Sequence, residues 1–117
     1  MIIAYASRTG NVESIVHQLN QDTFPIVTGT EKINENFILF TYTDGYGDIP
    51  AEVENFLTDN HSYLKGVIVS GDPGYGDAYC QTGDKIAKLY AIPCLYKVEN
   101  AGTQQDITNI KQILADQ

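Results

Sequence analysis

Ile2-Ile3-Ala4-Tyr5-Ala6-Ser7-Arg8-Thr9-Gly10-Asn11-Val12 is the stretch on which the fold turns. Its first five residues are apolar throughout and do not alternate, the pattern of a strand covered on both faces. Val12, Ile15, Val16 and Leu19 then recur at helical spacing, which predicts a helix from Val12 to Leu19. A buried strand running through a polar loop into an amphipathic helix is the opening of a parallel sheet.

Outward from that unit the alternation repeats. Phe24–Thr28 reads as a weak second strand, and Phe37-Ile38-Leu39-Phe40-Thr41-Tyr42 as the clearest β run in the chain. Pro50 suits a first helical position ahead of Ala51, Val53, Phe56 and Leu57. Val67-Ile68-Val69 is a short buried strand, and Ile86, Leu89 and Tyr90 mark a helix that ends before Pro93. Cys94–Val98 is a fifth strand; Ile107, Ile110, Ile113 and Leu114 make a terminal helix. Strand alternating with helix implies parallel strands with right-handed crossovers, an α/β layered sheet.

One crossover is short, since only the eight residues Gly29–Asn36 separate strands two and three. Eight extended residues span ~26 Å. Returning along a strand (~17 Å) and across two strand spacings (~10 Å) needs roughly 20 Å. A plain loop therefore replaces the helix.

The 117 residues suit one domain covering 1–117, with room for one core. An apolar fraction of 43% with mixed charges argues against disorder. The net charge of −8 disfavours nucleic acid and anionic membrane surfaces, and suits solubility or docking to a basic protein patch. No run approaches the ~20 apolar residues of a membrane span, and residues 1–6 lack the features of a signal peptide, so a cytoplasmic location is expected. Cys80 and Cys94 form neither a CxxC pair nor a metal-ligand cluster and read as ordinary thiols.

Chemistry is expected in the loops leaving strands one, three and four, because ligands of open α/β sheets bind beyond the carboxyl ends of the strands. Ser7-Arg8-Thr9-Gly10-Asn11-Val12 offers hydroxyls, an amide and a glycine at a helix N-terminus, the makings of a phosphate cradle. A simple helix cap by Thr9 or Asn11 is the plainer alternative. Neither the glycine-rich dinucleotide pattern nor the Gly-Lys-Ser/Thr nucleotide loop is present, which points to a mononucleotide. Thr43-Asp44-Gly45-Tyr46-Gly47-Asp48 and Gly71-Asp72-Pro73-Gly74-Tyr75-Gly76-Asp77 each set an aromatic between glycines. Glycine lets backbone approach a flat ligand and the ring offers a stacking face, although either loop alone would read as a tight turn.

Ser7, Thr9, Gly10 and Asn11 after a first parallel strand resemble the FMN-phosphate loop of flavodoxins. The short chain, the missing crossover helix, Tyr42-Thr43-x-Gly45-Tyr46-Gly47-x-x-Pro50 and Ser70-Gly71-x-x-x-Tyr75-Gly76-Asp77 look like the NrdI family, flavodoxin-like activators of class Ib ribonucleotide reductase. The resemblance implies a compact, three-layer flavodoxin-like fold with a five-stranded parallel sheet of order 2-1-3-4-5. It implies FMN, its phosphate held by Ser7, Thr9, Gly10 and Asn11, with Arg8 and Val12 of the same loop also in the cofactor site. Tyr46 and Tyr75 would flank the isoalloxazine. Gly45 would supply a peptide that turns with flavin redox state, Thr43, Gly71, Gly76 and Asp77 would line the ring edge, and Asp44, Gly47 and Asp72 of the same loops would also belong to the cofactor site.

The activity implied is reaction of reduced FMN with dioxygen, supplying superoxide or peroxide to the dimanganese small subunit, where a tyrosyl radical forms. A flavodoxin reductase or similar donor would feed the flavin, and no residue is expected to act as general acid or base. A general electron-transfer flavodoxin is the alternative. A receiver domain of the same sheet order is disfavoured, because Ala6-Ser7-Arg8 carries no Mg²⁺-binding acid. Two departures stand out from relatives. Asp72 would oppose negative charge on reduced flavin, and Cys80 stands where a small or apolar residue is expected, as packing.

Overall fold

The computed structural model describes residues 1–117. Five strands form one parallel sheet: β1 (Ile2–Tyr5), β2 (Thr23–Pro25), β3 (Phe37–Tyr42), β4 (Leu64–Gly71) and β5 (Cys94–Glu99), in the order β2-β1-β3-β4-β5. The helices are α1 (Asn11–Val16), α2 (Ala51–Asn60), α3 (Gln81–Tyr90) and α4 (Gln104–Ala115), with 3₁₀ turns at His61–Tyr63 and Pro73–Ala78.

The unbroken apolar runs are explained by two cores, one on each side of the sheet. Ile3 and Tyr5 of β1 and Ile38 and Phe40 of β3 pack with α1 and α4 through Ile15, Ile107 and Ile110. Their neighbours Ala4, Phe37 and Leu39 face the other way, onto Val53, Phe56 and Leu57 of α2 and Ile86 of α3. Side chains alternate across a strand, so a strand covered on both faces must be apolar at every position.

Residues 27–36 cross from β2 to β3 as a loop, as the path length requires. The loop is fastened by polar contacts. The Glu31 carboxylate accepts from the amides of Val27, Thr28 and Gly29 at 2.8, 3.0 and 2.9 Å. Those backbone bonds hold its pKa down at about 2, against the opposing effect of partial burial. Buried Asn60 accepts from Ile33 N–H at 3.0 Å and donates to Glu31 O at 2.9 Å.

Several element ends differ from the sequence reading. β2 stops at Pro25, three residues early, because the amides of residues 27–29 turn to Glu31 and leave the ladder. α1 ends at Val16, and the chain reaches buried Leu19 through turns. Pro50 caps α2 from outside, accepting from Val53 and Glu54 N–H, and is not its first residue. Leu89, expected on the apolar face of α3, is 66% exposed, while Ile86 carries the burial. β4 runs well beyond Val67–Val69. No helix is long and apolar enough to cross a membrane.

Candidate functional site

A cavity of about 280 Å³ opens at the carboxyl ends of β1, β3, β4 and β5. Ser7, Arg8, Thr9, Asn11 and Val12 line one end, and Thr43, Gly45, Gly71, Asp72 and Tyr75 line the other. These ten are residues the sequence singled out. Gly10, Asp44, Tyr46, Gly47, Gly76 and Asp77 lie in the same loops but off the wall.

The first loop is held by few bonds of its own. Ser7 Oγ accepts from Glu13 N–H at 3.2 Å, and Gly10 O accepts from Ser14 N–H at 2.9 Å. Gly10 adopts φ +93°, a conformation that glycine enters without Cβ strain. The amides of Thr9, Gly10, Asn11 and Val12 find no acceptor within the chain. Four amides gathered on one short loop with no acceptor of their own form a fit for an anion with several oxygens, such as a phosphate.

The second loop is a tight turn in which Asp44 and Asp48 exchange backbone bonds of 3.1 and 2.8 Å. Gly45 adopts φ +48°, where glycine is favoured, and a Cβ built there would meet only Asp48 Oδ2 at 3.8 Å. Gly47 serves packing instead. A Cβ there would lie 2.7 Å from Gln81 Cβ, so its glycine lets this loop approach the start of α3. Thr43 Oγ1 donates to Ser70 O at 3.0 Å and ties the turn to β4.

In the third loop the Asp72 carboxylate accepts from Gly74 N–H at 2.8 Å, which shapes the 3₁₀ turn Pro73–Ala78. Asp77 O accepts from Gln81 Nε2 at 2.7 Å. Gly76 breaks the helical path at φ 57°, ψ −123°. Tyr75 and Tyr46 do not stand apart. Their rings meet edge to face, 5.1 Å between centroids and 88° between planes. A flat ring between two faces needs roughly 7 Å, twice the ~3.5 Å contact distance. For both phenols to flank one ring, Tyr46 must leave Tyr75, and at 75% exposure it is the freer of the two.

The wall also contains Tyr42, Ser70, Ala78, Tyr79, Cys80 and Asn100, which the sequence reading left outside the site. Asn100 was findable: it follows β5 and so ends at the same sheet edge. Its N–H donates to Gly71 O at 2.9 Å and its O accepts from Ser70 Oγ at 2.7 Å. Cys80 is fully buried, as expected for packing, and its thiol faces the carbonyls of Val69 and Val98 at 3.7 and 3.9 Å. Burial raises the thiol's pKa, so it is a neutral donor at pH 7. Tyr79 is likewise raised, by burial and then by Cys80. Burial and the bond to Glu52 push Tyr42 up to about 12.

The family model described as NrdI Flavodoxin like matches residues 3–112. The SPbeta prophage-derived protein NrdI of Bacillus subtilis is 39% identical over 114 residues, covering 94% of this chain and 88% of its own. Protein NrdI of Bacillus licheniformis is 38% identical over 105 residues, covering 90% and 80%. Among solved structures, a short-chain flavodoxin associated with a bacterial microcompartment superposes with a TM-score of 0.75 at 21% identity, over 97% of this chain and 93% of that one. That last likeness bears on the fold alone.

Proposed function

The chain belongs to the NrdI flavodoxin-like family, whose cofactor is FMN and which is associated with ribonucleotide reductase, and from that premise we propose that it activates a class Ib reductase through its flavin. The observation that carries the reading is the set of four amides, Thr9 to Val12, with no acceptor in the chain, at one end of a cavity whose other end is glycine backbone and phenol.

The amides of Thr9, Gly10, Asn11 and Val12, with the hydroxyls of Ser7 and Thr9, would hold the phosphate. Neutral donors suffice, since each N–H···O⁻ bond is charge-assisted. Tyr75 would cover one ring face and Tyr46, once swung from it, the other. Thr43, Gly71, Gly76 and Asp77 would border the ring edge. Gly45, at positive φ and without a Cβ, would let a peptide present either its N–H or its carbonyl to the ring. When bound and reduced, the flavin would pass electrons to dioxygen, supplying superoxide or peroxide to the partner's dimanganese centre. The electron donor would be a flavodoxin reductase or a similar enzyme, and the setting the cytoplasm.

The experiment mixes the photoreduced protein with oxygen and the manganese-loaded small subunit, and reads tyrosyl radical by electron paramagnetic resonance. Radical that requires this protein is expected. Flavin-loaded protein that yields no radical with its partner would leave a general electron-transfer flavodoxin.

A further inference from the structure

Arg8 is the only cation among residues 7–12 and, by charge alone, the first suspect for gripping a phosphate. Its geometry assigns it elsewhere. Nη1 lies 3.1 Å from Asp44 Oδ1, and the guanidinium carbon sits 4.7 Å over the Tyr42 ring. Both partners belong to the end of β3 and the turn that follows. We propose that Arg8 is a positioning residue that braces the 43–48 turn against the 7–12 loop and does not recognise the phosphate, an inference that rests on the FMN reading above.

The brace is anchored at its far end. Tyr42 hydroxyl donates to Glu52 Oε2 at 2.7 Å, so α2, Tyr42, Arg8 and Asp44 form one chain of contacts. Asp44 opens the turn that holds Gly45, exchanging backbone bonds with Asp48. Fixing Asp44 therefore fixes the base of the turn on the ring side of the cavity. The phosphate end does not need the guanidinium, because the amides of Thr9 to Val12 have no competing acceptor, whereas Arg8 already faces a carboxylate. The Arg8 and Asp44 side chains are 55% and 44% exposed, so the brace is a modest one, worth roughly two- to five-fold in ring affinity.

The test titrates the full chain, freed of flavin, with FMN and with riboflavin, which lacks the phosphate. Arg8→Gln, Asp44→Asn and the double variant are compared with wild type at low and high salt. Each single variant is expected to weaken both ligands by the same roughly two- to five-fold factor, and the double variant no further. Riboflavin is neutral, so high salt should lower its affinity for wild type and leave the variants unmoved. A ten-fold or greater loss for FMN alone in Arg8→Gln would make Arg8 a phosphate ligand and overturn the proposal. So would additive losses, or no loss at all. Wild-type protein that takes up neither ligand would remove the FMN reading itself and the brace with it, an outcome distinct from the other three.

Discussion

Residues 7–12 and 27–31 are two Thr-Gly turns, each leaving a strand at the same edge of the sheet, and they resolve the same problem in opposite ways. In the second, the amides of Val27, Thr28 and Gly29 converge on a carboxylate the chain itself provides, Glu31. In the first, the amides of Thr9 to Val12 have no acceptor in the chain. A turn that carries its own anion is a structural lock; a turn that offers amides without one leaves them open to water or, on the reading proposed above, to a phosphate. The bonds from these amides are what lower the Glu31 pKa, to about 2.

Paired glycine substitutions test this contrast most severely. Gly29 sits at φ +89°, and a Cβ there would lie 2.6 Å from Glu52 O and 2.7 Å from Asn55 Cβ. Gly10 sits at φ +93°, and a Cβ there would meet nothing within 4 Å. Gly29→Ala should therefore cost about 3 kcal/mol, conformational strain plus overpacking, and Gly10→Ala about 1–2 kcal/mol, strain alone. Urea unfolding with unchanged m-values reads both. A Gly10→Ala loss as large as that of Gly29→Ala would show that the first loop is as tightly packed as the second.

The lock should also show in acid. Glu31 has a folded pKa below its ordinary 4.5, so its contribution is complete above that value and disappears as pH falls from about 4.5 to about 2. Glu31→Gln should lower stability at pH 7 by about 1–2 kcal/mol, less than the full shift implies because solvent reaches the carboxylate. The variant's stability should then be flatter than wild type between pH 5 and 2. Parallel curves would assign that acid sensitivity to other carboxylates.

The sequence made the sheet legible because burial on both faces leaves a local mark: every residue of Phe37–Phe40 is apolar. Distances along the chain also sufficed for the loop crossover, which is a matter of reach. What stayed hidden depends on contacts between distant segments. That Glu31 would end β2 follows from a bond four residues away that no strand propensity encodes. Tyr79 and Cys80 reach the cavity because a 3₁₀ turn carries the chain back past Gly71, which periodicity could not reveal. Leu89 matched the helical spacing and is solvent-exposed, since apolar spacing marks a face without saying how wide the cover over it is.

The smallest expected effects distinguish the two tyrosines at the other end of the cavity. Tyr75 lines the wall and is 42% exposed, so Tyr75→Ala should weaken FMN by roughly 1–2 kcal/mol, its stacking and buried area. Tyr46 is 75% exposed and off the wall, held by its edge-to-face contact with Tyr75. Aromatic pairs of this kind contribute about 0.5–1.5 kcal/mol, and a ring entering between the phenols must first break the pair. Either alanine variant removes that opposing contact, but Tyr46, the more exposed and off the wall, loses the smaller stacking area, so for Tyr46→Ala the two nearly cancel. Its effect on FMN affinity by fluorescence titration should stay under about threefold, or about 0.7 kcal/mol. A Tyr46→Ala loss exceeding that of Tyr75→Ala would mean that Tyr46 stands against the ring without ever having leaned on its neighbour.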